Sequence, residues 1–84
     1  MPAIYVLNVP EFCALVDVSR IRPGYRVSPR GPNYFKIESD LELCFSRKEL
    51  GFKPAVWYGS LTGGLDGKIV QFDRDELRVV GNDT

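Results

Sequence analysis

Two thiols, Cys13 and Cys44, and the absence of histidine limit the chemistry open to this chain. Histidine is the commonest general base near neutral pH and the commonest metal ligand. Without it there is no Ser-His-Asp triad and no Cys–His dyad. A structural zinc site takes four Cys or His ligands, and two cysteines do not supply them. The stretch Gly63-Gly64-Leu65-Asp66-Gly67-Lys68 invites a phosphate-loop reading. A Walker loop needs a glycine, four intervening residues, Gly-Lys and then a Ser or Thr. Thr62 and Ile69 occupy those positions, and no G-x-G-x-x-G exists, so the stretch reads as a turn and no cofactor is expected. Asp73, Asp75 and Glu76 crowd acids as a calcium loop does. The D-x-D-x-D-G pattern breaks at Leu77, so these too read as a turn and no metal is expected.

The most informative pattern is charge. The 84 residues carry 11 basic and 11 acidic side chains, a formal net charge of zero. That balance is uneven along the chain. Between Val18 and Ile37 stand Arg20, Arg22, Arg26, Arg30 and Lys36 with no acid, so all the acids fall in the remainder. Arg20, Arg22, Tyr25, Arg26, Arg30 and Tyr34 are therefore the candidate partner- or anion-binding residues, with the aromatic rings available to stack on bases. The plain alternative is a solvated segment whose arginines pair with the chain's own acids or with those of a second copy. Polyanion affinity comes largely from counterion release, so the acidic remainder ranks a nucleic-acid partner below a protein partner.

Ten aromatic residues are too many for so small a domain to bury fully. Phe52, Trp57 and Tyr58 are the candidates for an interface or a shallow pocket. Residues 3–9 read as a strand apolar on both faces. In a short chain that favours a homodimer built across a sheet face or edge. No apolar run approaches the roughly 20 residues that span a bilayer, so no membrane partner is expected. The opening residues have no basic n-region and no small-residue cleavage site. With two unpaired-looking cysteines, the expectation is a cytoplasmic protein with reduced thiols.

The opening Met-Pro-Ala-Ile-Tyr-Val resembles the start of the tautomerases that use an N-terminal proline as base, which Pro2 would become on removal of Met1. The resemblance implies a long amphipathic helix after the first strand. Here the corresponding stretch holds Pro23, Gly24, Pro29, Gly31 and Pro32, through which no long helix runs.

The elements that must position these residues follow from periodicity and turn chemistry. Val9, Phe12, Cys13 and Val16 fit helical spacing, and Pro10 suits a helix start. Phe12, Ala14, Val16 and Val18 also alternate as a strand would, and a short helix is the preferred reading. Residues 22–33 read as a loop or edge segment, with Pro23-Gly24 in a type II turn. Face parity pairs 34–39 with 41–46 in a hairpin that sets Ile37 opposite Leu41. It pairs 68–72 with 77–80 in a second, Phe72 opposite Leu77, across Asp73-Arg74-Asp75-Glu76. Ser46 and Glu49 form a capping-box pattern, with Gly51 ending one helical turn. A helix running on through Trp57 would swallow Gly51 and Pro54, so 55–61 reads as a strand with Ala55, Trp57 and Leu61 inward. The last third then forms a three-stranded meander.

The resulting expectation is one domain over residues 1–84, α+β and β-rich. It has five to six mainly antiparallel strands in a single sheet or partly closed barrel, with one or two short helices; an all-β fold is the alternative. The function expected is a homodimeric binding domain without catalysis. Weak RNA or single-stranded DNA binding through residues 20–36 comes second. A small ligand or enzyme pocket using Arg, Tyr and carboxylates comes third.

Overall fold

The computed structural model describes residues 2–61 and 63–81. Strand β1 (Ala3–Leu7) leads through a 3-10 turn (Pro10–Phe12) into helix α1 (Cys13–Ile21). Pro10 sits at the start of that turn, where its missing N–H costs nothing. Pro23 ends the helix, because the residue before a proline is pushed out of the helical region. Arg22 accordingly sits at φ −84° and ψ 131°. The Tyr25 N–H then donates to Arg22 O across Pro23-Gly24, and Gly24 takes φ 83°, as the type II turn requires. The preferred helical reading of residues 9–17 holds from Pro10 onward, with Val9 extended, and the helix runs further than expected.

Strands β2 (Tyr25–Arg30) and β3 (Tyr34–Ser39) form a hairpin. β3 also pairs antiparallel with β1, so β1 and β2 run parallel with β3 between them and α1 as the crossover. A two-residue strand, β5 (Leu65–Asp66), adds to the other side of β1. This sheet has the order β2-β3-β1-β5. A second sheet has the order β4-β7-β6, from β4 (Glu42–Ser46), β6 (Lys68–Phe72) and β7 (Glu76–Val80). The fold is α+β and β-rich, but among the described residues seven strands divide between two open antiparallel sheets, rather than five or six in one sheet or a partly closed barrel.

The 68–72/77–80 hairpin forms in the expected register, with Phe72 opposite Leu77. A bulge at Val70 breaks the expected alternation, so Val70 does not join Leu77 and Val79 on the buried face. The other expected hairpin does not form. β3 pairs with β1 and β2, whereas β4 pairs with β7 and sets Leu43 opposite Val79 and Phe45 opposite Leu77. Asp40 and Leu41 carry the chain from one sheet to the other, leaving Leu41 83% exposed. Parity was satisfied either way: it fixes which faces match but not whether the partner is local.

Two short helices close the second sheet. α2 (Arg47–Leu50) begins after Ser46 and ends at Gly51, which takes φ 71°. The capping box is not made. Ser46 gives no side-chain cap, the Arg47 N–H donates to Asp75 O, and Glu49 turns to Arg22. Residues 54–59 form helix α3 (Pro54–Gly59), not the expected strand, so the expected meander is replaced by β4-β7-β6. Pro54 starts a new helix instead of interrupting an old one, with Lys53 before it extended at ψ 156°. Ala55 is exposed and Leu61 half-buried, but Trp57 is fully buried.

One cluster of buried side chains joins all these parts. Ile4, Val6 and Ile37 come from the first sheet, and Leu43, Phe45, Leu77 and Val79 from the second. Phe12, Leu15 and Val16 come from the first helical segment; Leu50, Phe52 and Trp57 complete it. Pro2 is buried at the edge of this core, its carbonyl accepting from the Ser39 N–H. With α1 only nine residues long, the long helix implied by the tautomerase resemblance is absent.

Candidate functional site

The segment rich in arginine does not form one patch. Its side chains divide among the end of α1 and the two faces of the first sheet. Arg22 and Tyr25 face inward and lock the two sheets together. The Arg22 guanidinium donates to the Cys44 carbonyl and to Glu49. It also lies 5.4 Å from the Tyr25 ring centroid and 5.3 Å from that of Phe45. The Tyr25 hydroxyl accepts from the Cys44 N–H at 2.8 Å. Both residues are held within the fold.

Arg20 projects from α1 over the Phe35 ring, 5.7 Å from its centroid. It lines a cleft of about 200 Å³ with Val9, Phe12, Cys13, Val16 and Asp17. That volume falls short of the roughly 300 Å³ at which small-molecule sites begin. A larger dish of about 380 Å³ lies open on the second sheet, walled by Cys44, Ser46, Gln71, Glu76 and Arg78. Cys13 and Cys44 are free thiols, one exposed and one half-buried. Among the described residues, no three Cys, Asp or Glu side chains gather as metal ligands.

The remaining members of the segment meet on the face of the first sheet turned away from α1. Strand alternation places Arg26, Ser28 and Arg30 of β2 there beside Tyr34, Lys36 and Glu38 of β3. Arg26 pairs with Asp40 at 3.0 Å and lies 3.7 Å from Glu38. Its guanidinium pKa is raised, chiefly by the hydrogen bond to Asp40. Lys36 also reaches Glu38, at 3.7 Å. Arg30 lies over the Tyr5 ring of β1, 6.0 Å from its centroid. Tyr5 was not singled out from sequence. The sequence signal was there, since Ile4 and Val6 point inward and leave Tyr5 on the opposite face.

The aromatic candidates separate likewise. Phe52 and Trp57 are core: Trp57 is fully buried, and its indole N–H donates to Asp73 O at 2.7 Å. Phe52 packs edge-on against Phe12. Tyr58 is 51% exposed and stands over Phe72, ring centroids 5.6 Å apart. It adjoins β6, the outer strand of the second sheet, where Ile69 and Val70 are 42% and 48% exposed. Sequence reasoning missed that pair because the bulge that turns Val70 outward has no signature in the residue pattern. The chain matches no protein-family model and no curated protein sequence.

Proposed function

We propose that this protein is a non-catalytic interaction domain that self-associates through Tyr58 of α3 and the apolar side chains of β6. The observation that carries this reading is the exposure of Ile69 and Val70 on the outer strand β6 and of Tyr58, which packs on Phe72 of the same strand. Exposed apolar groups grouped in this way mark interaction surfaces. The bulge at Val70 interrupts the ladder, so this edge offers side chains more than a continuous row of backbone groups. Contact through packing of Tyr58 and Val70 therefore fits better than strand addition.

Sedimentation across a concentration series tests the reading. The wild type should reach the mass of a dimer as concentration rises. Val70→Lys should hold it at monomer mass without lowering the melting temperature, since Val70 is not core. A wild type that remains monomeric at its solubility limit overturns the proposal.

A further inference from the structure

The geometry points to a second surface: the helix-free face of the first sheet binds single-stranded nucleic acid, with Tyr5 and Tyr34 stacking on bases and Arg30 and Lys36 holding phosphates. Register sets the side chains of this face in rows. Arg30 stands beside Tyr34; Ser28, Lys36 and Tyr5 follow; Arg26, Glu38 and Ala3 complete it. Helix α1 lies on the opposite face, with Arg20 over Phe35; on this one Arg26, Ser28, Arg30 and Tyr34 are exposed, Tyr5, Lys36 and Glu38 are half-buried, Ala3 is buried, and Gly63 lies against Tyr34. Tyr34 is 38% exposed. Tyr34 lies opposite Leu7, which places Tyr5 as its diagonal neighbour on the adjacent strand. Such neighbours stand about 7 Å apart, so one strand of nucleic acid spans both rings.

The charge on this face is graded. Glu38 and Asp40 gather at the Arg26 end and neutralise it, and Glu38 also lies 3.7 Å from Lys36, which a phosphate must draw away from it. At the other end, among the described residues, Arg30 has no carboxylate within ion-pair distance and rests on the Tyr5 ring instead. Cations beside exposed aromatics on a sheet are what single-strand recognition requires, because every base has a face to stack and the backbone needs only a few positive partners. A duplex hides its base faces and would gain little here. The zero net charge of the chain limits the electrostatic share, so affinity rests on stacking and salt dependence is shallow. Two phosphate contacts predict a slope of about −1.4 in log K against log salt for a single strand.

Fluorescence anisotropy with a labelled oligothymidine of about twelve nucleotides, within the site sizes of single-strand-binding folds, tests this. Binding should be measurable at low salt and should fall about tenfold in Tyr34→Ala, while Tyr34→Phe, which keeps the ring, retains it. Arg30→Gln should flatten the salt slope by about 0.7. The proposal is overturned if the oligothymidine does not bind at low salt, or if Tyr34→Ala and Arg30→Gln both bind as the wild type does. Equal binding of a duplex or of heparin overturns it as well, as does preference for an acidic peptide.

Discussion

At the scale of single residues, Trp57 shows how much of this fold rests on one side chain. It is fully buried, packs edge-on against Phe72, and donates its indole N–H to the carbonyl of Asp73. A chain of 84 residues has a total stability on the order of 4–13 kcal/mol. Trp57→Phe keeps an aromatic ring but removes the donor and part of the volume, which should cost about 2 kcal/mol. Urea unfolding followed by circular dichroism checks this, with Tyr58→Phe as the neighbour expected to change little. The burial of Trp57 was legible in the sequence, since a large ring beside further apolar residues belongs inside. Its partner was not, because a carbonyl acceptor leaves no mark in residue type. Arg22 was harder still. It was singled out as a candidate anion-binding residue, and only the meeting of nearby Tyr25 with Phe45 and Glu49 from distant positions turns it into a lock between the sheets.

At the scale of elements, local chemistry was a good guide to stops and turns. Pro23 stopping α1, Gly24 turning the chain, Gly51 ending α2 and the four-residue turn before Leu77 all follow from preferences acting within a few residues. It failed at the Ser46–Glu49 cap and at residues 54–59, where Pro54 opens a helix. Long-range choice failed too, as at β4, whose inward residues match β3 as well as they match β7. The β6–β7 turn also carries a pH-dependent contribution. The Asp73 carboxylate accepts from the Gln71 side chain and from the Asp75 and Glu76 N–H groups. These contacts, Gln71 first, hold its pKa below the ordinary 3.8. The unfolded chain therefore binds this proton more readily than the folded one. Stability from Asp73 is fully present above pH 3.8 and is lost as the pH falls through the lower folded value. Asp73→Asn should melt below the wild type at neutral pH. The gap should close in that acidic window, which thermal melts across a pH series would show.

At the scale of the whole molecule, the two sheets share one core and so should not melt apart. Trp57 reports on the second sheet and its helix, whereas far-ultraviolet circular dichroism reports on both sheets. The two signals should trace one coincident transition in urea, and separated midpoints would mean that the sheets unfold independently. That shared core is also why the expected single sheet or barrel gave way. An open sheet buries only one face in the core, and a second sheet with short helices covers the first more completely than a single curled one. The short strand β5 has a consequence in time. Residues 3–39 contain β1, α1, β2 and β3, and they satisfy one another within that span. The free edge of β1 waits for Leu65 and Asp66, which arrive only after β4, α2 and α3 have been laid down. Closing a loop of roughly sixty residues is entropically late, so this pairing should be among the last contacts a folding chain makes. The junction of Ala3 and Ile4 with Leu65 and Asp66 thus acts as a completion mark. An N-terminal half released early would display β1 unsealed, and the full chain would seal it only once its second half had assembled.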